Sequence, residues 1–370
     1  FSIYAPQLEK LIALKKKECE LLGYSEHPYD AFLDEFEPGM KTSEVETLFN
    51  DVRKELVPFV KELLSKPRGS TEILHRHYPK DKQFEFSVHV LKQMGYDFDA
   101  GRQDISIHPF TTNFSATDVR VTTRIDENNL SDCLSGSIHE GGHALYEQGI
   151  PDDQYGLPSG EYCSLSIHES QSRLWENNVG RSLAFWKGQF PVLQKTFPDQ
   201  LQDVTIDSLY KAMNVVQPSL IRINADEVTY HFHVMIRFEV EKAIFENKIA
   251  VKEIPAYWNA RYKEYLGIEV TSDAEGCMQD IHWSHGSFGY FPTYSLGSFY
   301  AAQLYAKANE EIPNLSTQIE LCDYSHLLNW LREKIHQHGK TYTSQELCVM
   351  ATGEPLNFRY FMEYVRAKYA

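Results

Sequence analysis

Apolar side chains recur at helical intervals along most of this chain. Leu8, Leu11, Ile12, Leu14, Leu21 and Leu22 share one such rhythm, with Lys15, Lys16 and Lys17 on the wet face, so an amphipathic helix is expected there. A second helix is expected from Ser43 to about Ser65, because Glu46 stands at the spacing that lets a carboxylate close the first turn. A third runs from near Lys82 to Gly95. From Asp104 to Ile125 the rhythm changes. Ile105-Ser106-Ile107 and the stretch from Val119 to Ile125 alternate apolar and polar residues and are rich in β-branched types, which predicts two short strands of a small sheet. The free edge of such a sheet can take an extended peptide by strand addition.

A helix over Asn129–Gln148 is expected to stop at Gly149. It is followed by a candidate third strand at Gly160–Ser166 and a helix at Ile167–Asn177. Beyond Gly180 the pattern is helical almost to the end. It includes a long helix from Ile221 to Glu246, in which Arg222 and Asp226 fall at i and i+4, and closing helices after Leu327. No repeat, low-complexity tract or linker interrupts it, so a single mainly α domain over residues 1–370 is predicted.

Charge narrows the partners. With 52 acidic against 36 basic residues the net charge is −16, which argues against nucleic acid and against an anionic membrane surface. No apolar run reaches the roughly 18 residues of a membrane span. The six cysteines are scattered without a Cys-x-x-Cys pair, the usage of buried, reduced thiols in a cytoplasmic protein. Phe1-Ser2-Ile3-Tyr4-Ala5-Pro6 is no signal peptide and lacks an initiator Met, so a trimmed or mid-chain start is expected.

The candidate chemistry sits in Ile138-His139-Glu140-Gly141-Gly142-His143-Ala144. Residues four apart share a helix face, so both imidazoles can reach one metal ion. Glu140 points roughly 100° away from His139, where it can stand beside a water on that ion rather than ligate it. The alternative is a solvated or core histidine pair. Two glycines in a buried helix each cost about 1 kcal/mol relative to alanine, which implies that something approaches the helix backbone closely. An open catalytic site needs one more protein ligand. His168 and Glu169 are both chemically able, and adjacent on a helix only one of them should face the ion.

Several motifs together resemble the carboxypeptidase Taq family of metallocarboxypeptidases. They are His108-Pro109-Phe110, Asp118-x-Arg120-x-Thr122, His139-Glu140-x-x-His143, His168-Glu169-Ser170-Gln171, Ile221-Arg222-x-x-Ala225-Asp226-Glu227, Gly276-x-x-Gln279-Asp280-x-His282-Trp283 and Gly289-Tyr290-Phe291-Pro292-Thr293-Tyr294, in the family's order. The resemblance implies a helical, cleft-bearing zincin fold similar to neurolysin and angiotensin-converting enzyme, with a small β-sheet beside the metal helix. It implies Glu169 as third ligand with His139 and His143, and His168 behind them. Family members usually carry a further N-terminal helical lid portion, which is expected to be missing here.

The expected activity is hydrolysis of the C-terminal peptide bond by a metal-activated water, on peptides with a free C-terminal carboxylate. One zinc per chain is expected, with cobalt or manganese as alternatives, and Glu140 as the base. By similarity to related peptidases, His282 and Tyr290 are assigned to the oxyanion. A guanidinium suits the substrate carboxylate, with Arg222 the first candidate and Arg120 the second. His108 and Asp118 are expected to brace the sheet. A homodimer is implied by the resemblance alone. The competing readings are an endopeptidase or dipeptidyl carboxypeptidase of the neurolysin type, and an inactive truncated metal-binding form.

Overall fold

The computed structural model describes residues 1–67 and 69–370, and the chain divides into two compact units. One comprises Phe1–Pro67, Val216–Leu296 and Met362–Ala370, the other Arg68–Val215 and Gly297–Phe361.

The first unit is helical. Its helices Ala5–Leu22, Asp30–Phe36, Thr42–Ser65, Tyr230–Phe245 and Ile254–Leu266 surround an aromatic core. Phe32 lies 4.7 Å from Phe245, Phe245 5.1 Å from Phe288, and Tyr29 5.5 Å from Phe238, centroid to centroid. Tilted and edge contacts of this kind add about 0.5–1.5 kcal/mol each to the burial of the rings. The first helix buries Leu8, Ile12 and Cys19, while Leu14, Leu21 and Leu22 of the expected apolar stripe face solvent. The Thr42 helix starts one residue before Ser43. Glu44, not Glu46, closes its first turn by accepting from Lys41 N at 2.8 Å, and Glu46 instead pairs with Lys242.

The expected helix from Ile221 to Glu246 is broken. Residues Arg222–Asn224 form a single 3-10 turn, and the helix proper is Tyr230–Phe245. In the turn before that helix the Asp226 carboxylate accepts from the backbone N–H groups of Val228 and Thr229, both at 2.9 Å, and from Thr229 Oγ1 at 2.6 Å. An aspartate side chain bonded to the backbone two and three residues on favours a turn over a continuous helix.

In the second unit a three-stranded sheet of order β1-β3-β2 packs on the Leu130–Glu147 helix, with β1 Gln103–Ile105, β2 Thr111–Ser115 and β3 Asp118–Thr123. β1 pairs parallel with β3, Gln103 opposite Val121, and β2 pairs antiparallel, Thr111 opposite Val121. The alternation of β3 turns Val119, Val121 and Thr123 inward. Polar side chains then pin the sheet to the helix: Gln103 Nε2 donates to Ser137 Oγ at 2.8 Å, and Thr123 Oγ1 donates to Cys133 O at 3.0 Å.

Asn129 caps the Leu130–Glu147 helix, its side chain accepting from Ser131 N at 3.2 Å, and buried residues lie all round the helix. At its end Gly149 does not adopt a left-handed conformation. A Cβ there would stand 2.4 Å from His336 Nδ1, so this glycine serves close packing rather than a cap. The expected third strand is absent: Pro158–Gly160 is a 3-10 turn, and Ser164 caps the Leu165–Arg173 helix by accepting from Ile167 N at 3.1 Å. That helix continues as a π-helical turn over Leu174–Val179. Helices Ser325–Lys334, Ser344–Thr352 and Arg359–Tyr369 close the chain.

Candidate metal centre

Of the two glycines, Gly141 meets the Leu91 and Met94 side chains of the Lys80–Met94 helix, and Gly142 admits a backbone, that of the Leu165–Arg173 helix. A Cβ on Gly142 would lie 2.7 Å from both Gln171 O and Ser172 Cα. Only hydrogen lets the two helices come this near. The same economy recurs at Gly297, where a Cβ would lie 2.6 Å from Cβ and Cγ of Glu169.

With the helices this near, His139, His143 and Glu169 converge. One donor atom from each lies within 4.8 Å of the others. Glu169 Oε2 stands 3.6 Å from His139 Nε2 and 3.4 Å from His143 Nε2, separations that two ligands of a single small cation adopt. The two imidazole rings are 4.9 Å apart and nearly perpendicular, at 84°. Two neutral imidazole nitrogens and a carboxylate oxygen form a donor set suited to zinc and to other divalent first-row ions.

The far nitrogens of both rings are engaged, which fixes what the near ones present. His139 Nδ1 donates to Glu176 Oε2 at 2.9 Å. His143 Nδ1 meets His168 Nδ1 at 2.5 Å, and His168 Nε2 donates to Glu147 Oε1 at 2.7 Å. Asn113 Nδ2 donates to the other oxygen of Glu147 at 2.9 Å. With the Nε2 proton of a neutral His168 given to Glu147, His168 Nδ1 accepts and the proton of His143 sits on Nδ1. Its Nε2 lone pair is left to point at the centre. His168 therefore meets His143 at Nδ1, while Nε2 of His143 faces Glu169.

Charge follows the same layout. Burial opposes charging of His139, but the carboxylates of Glu169 and Glu176 outweigh it and hold its pKa above the ordinary imidazole value. Burial and then His168 push His143 down to about 3, so this ring is neutral across the physiological range. Glu169 and Glu176 are also buried, which by itself raises a carboxyl pKa. Arg173 foremost, with the neighbouring histidines, overcomes this and holds both well below the usual range.

Glu140 faces β2. Thr111 Oγ1 donates to its Oε2 at 2.7 Å and to its backbone carbonyl at 3.0 Å. Burial lifts its pKa above the usual carboxylate value, while His139 and the Thr111 hydrogen bond restrain the rise. A raised carboxylate beside the donor set is suited to receive a proton and hand it on. Thr111 was not among the residues singled out in the sequence, although Thr111-Thr112 continues the β-branched run that marks this sheet.

Arg120 lies in the same unit, exposed on β3, with its guanidinium in a two-fold pair to Asp118 at 2.8 Å and 5.0 Å from the Phe114 ring. Asp118 thus pairs on the sheet surface, and exposed His108 bonds the Pro109 carbonyl at 2.6 Å.

Arg222, His282 and Tyr290 belong to the other unit, where they cluster among aromatic rings. Arg222 does not pair with Asp226. Its Nη2 donates to Asp280 Oδ1 at 2.7 Å and its Nη1 to Tyr230 Oη at 2.8 Å, and it lies over Tyr294 at 4.8 Å. Asp226 is instead engaged by the backbone N–H groups of Val228, Thr229 and, at 3.0 Å, Gln217. His282 Nε2 lies 3.3 Å from Tyr294 Oη, and its ring is 5.2 Å from Tyr290. Burial foremost, against the pull of Asp280 and with Arg222 and Arg237 adding to it, presses His282 down to about 3, so it is a neutral hydrogen-bonding group.

A helix bearing His-Glu-x-x-His, set against a second helix that supplies a glutamate, defines the class: a metallopeptidase-type centre in a mainly helical protein with a small sheet. This chain belongs to the carboxypeptidase Taq (M32) metallopeptidases, whose family model matches residues 1–369. Carboxypeptidase 1 of Bacillus subtilis (strain 168) is 44% identical over 371 residues, covering 100% of this chain and 74% of that protein. Thermostable carboxypeptidase 1 of Thermus thermophilus is 41% identical over 378 residues, covering 99% of this chain and 74% of that protein. The crystal structure of the M32 carboxypeptidase from Deinococcus radiodurans R1 superposes with a TM-score of 0.98 at 40% identity, covering 100% of this chain and 74% of that one. The chain therefore spans about three quarters of the length of these relatives.

Proposed function

We propose that this metallocarboxypeptidase releases C-terminal residues one at a time from peptides bearing a free carboxylate, with broad side-chain tolerance. The observation that carries the reading is the convergence of His139 Nε2, His143 Nε2 and Glu169 Oε2 within 4.8 Å, beside the Glu140 carboxylate. These three are the proposed metal ligands. Zinc is the proposed resident ion, one per chain, with cobalt and manganese as the alternatives to be tested by metal analysis.

A divalent ion held by His139, His143 and Glu169 would supply a Lewis acid that acidifies water and polarises the scissile carbonyl. Glu140 would take the proton of the attacking water and deliver it to the departing amine. His282 and Tyr290 are the proposed donors to the oxyanion. Support comes from the family resemblance, and from a neutral His282 able to donate without carrying charge. Arg222 remains the first candidate for the substrate carboxylate and Arg120 the second. An exposed pair such as Arg120–Asp118 is worth only about 0–1 kcal/mol and exchanges partners cheaply, whereas Arg222 must share its guanidinium with Asp280.

The unbroken family match supports reading residues 1–370 as one catalytic domain. A cytoplasmic location is supported by the free thiols of all six cysteines, and a homodimer by the resemblance alone. Fractionation and light scattering test these two.

The deciding experiment is mass spectrometry of an N-blocked peptide incubated with metal-loaded protein, once with a free C-terminus and once amidated. Stepwise loss of single residues from the free peptide alone is expected. Loss of residue pairs points to the dipeptidyl reading, cleavage of both peptides to an endopeptidase, and cleavage of neither to an inactive form.

A further inference from the structure

Glu169, Arg173 and Glu176 fall at i, i+4 and i+7 on the Leu165–Arg173 helix and its π-helical continuation, so their side chains project from one face. Arg173 Nε donates to Glu169 Oε1 at 2.7 Å, and its Nη1 donates to Glu176 Oε2 at 3.0 Å. The two carboxylates meet opposite nitrogens of His139. Glu169 turns its other oxygen to the centre, and Glu176 Oε2 also accepts from His139 Nδ1 at 2.9 Å. All three side chains are nearly buried, with exposures of 13% for Arg173, 7% for Glu169 and 10% for Glu176.

We propose that Arg173 is a positioning residue that locks Glu169 and His139 into one mutual geometry, by bridging the carboxylate that faces the ion to the carboxylate that orients the imidazole. The inference rests on the reading of His139, His143 and Glu169 as metal ligands.

Two buried carboxylates on one helix face repel, and without a cation between them one rotates away or takes up a proton. A guanidinium is the side chain able to hold both, because its N–H groups form a rigid planar fork. The fork also sets direction: with Oε1 of Glu169 tied to Nε, its Oε2, which also accepts from Ser172 Oγ at 3.1 Å, is the oxygen turned towards the two histidines. Lysine offers one flexible ammonium and cannot hold two carboxylates at the fixed angle of a fork. Arg181 reaches Glu176 through the opposite oxygen at 3.4 Å, so Glu176 keeps one cation when Arg173 is lost.

The test compares the parent protein with Arg173→Lys, Arg173→Met and Glu169→Ala. Each is stripped of metal, and zinc affinity is measured by competition with a chromophoric chelator. The visible spectrum of each cobalt-loaded protein is recorded alongside. Arg173→Met is expected to weaken zinc binding by about 10–100-fold and Arg173→Lys by about 10-fold. Both should shift the cobalt bands, and the metal-free Lys variant should melt close to the parent. Parent-like affinity and spectrum in both arginine variants, with zinc lost in Glu169→Ala, overturn the proposal and leave the ligand reading standing. Should Arg173→Met fail to fold, parent-like behaviour of Arg173→Lys alone overturns it. Retention of zinc by Glu169→Ala is a different failure, which removes the ligand reading itself.

Discussion

Thr111 and Glu140 are joined twice: one hydroxyl donates to the carboxylate at 2.7 Å and reaches the backbone carbonyl of the same residue at 3.0 Å. Glu140, the proposed base, is thus tied to a sheet strand as well as to its helix, and Thr111 engages one of its two carboxylate oxygens. Thr111→Val keeps the shape and removes the donor. A hydrogen bond to a charged group contributes about 1.5–3 kcal/mol, so kcat should fall by about 10–100-fold. Metal content, measured by atomic absorption, should stay at the parent's value.

Glu140→Gln keeps the volume and the Thr111 contact but cannot take a proton. Turnover should drop by at least about 100- to 10,000-fold while zinc remains bound. An active, zinc-loaded variant would remove Glu140 from the proton transfers.

His168→Ala breaks the relay from Glu147 to His143 and frees the ring to take the other tautomer. Zinc affinity should weaken by about 10–100-fold, less than in Glu169→Ala. Chelator competition on the two variants side by side checks the order.

Gly142→Ala places a methyl 2.7 Å from the backbone of the facing helix, where no side chain can yield. The helices must part, at a cost of about 1–3 kcal/mol. Urea unfolding of the metal-free protein reads the loss, and zinc affinity should fall with it, because Glu169 rides on the displaced helix.

His336 is fully buried, its Nε2 against Gln171 Oε1 at 2.9 Å, and burial with Arg332 and His168 lowers its pKa from 6.5 to about 3. The unfolded chain takes up a proton near pH 6.5 that the folded chain refuses until about pH 3, so this group's stability contribution is full above 6.5 and lost on acidification across that window. His143 adds a slope of the same sign. The melting temperature of metal-free protein should decline as pH falls below about 6.5. The decline should be shallower in His336→Gln, and an unchanged slope there would show that His336 titrates normally.

Most of the centre could be read in advance because its information is local. The i, i+4 spacing puts two imidazoles on one face, Asn129 announces the helix start, and two glycines in a buried helix signal a close neighbour. What sequence spacing alone did not disclose depends on distant partners. Asp226 stands four residues from Arg222, and nothing local says that it will turn to the backbone of Val228 and Thr229 while Arg222 pairs with Asp280, 58 residues away. β2 escaped notice because its exposed Asn113 and Phe114 break the alternation that marks β3. Between His168 and Glu169 the choice of ligand turns on which helix face meets Gly142, a matter of packing that spacing leaves open.

Gly297 carries a consequence for anyone who would re-engineer the ion preference of this protein. The stem of Glu169 lies where a side chain at 297 would begin, so the two positions behave as one. A shorter carboxylate at 169 withdraws from the centre and leaves a hollow, and a bulkier imidazole there has no room unless the neighbouring backbone retreats. Libraries that vary 169 alone should return mostly non-binders. Paired variation at 169 and 297 searches the space in which a different coordination chemistry is reachable.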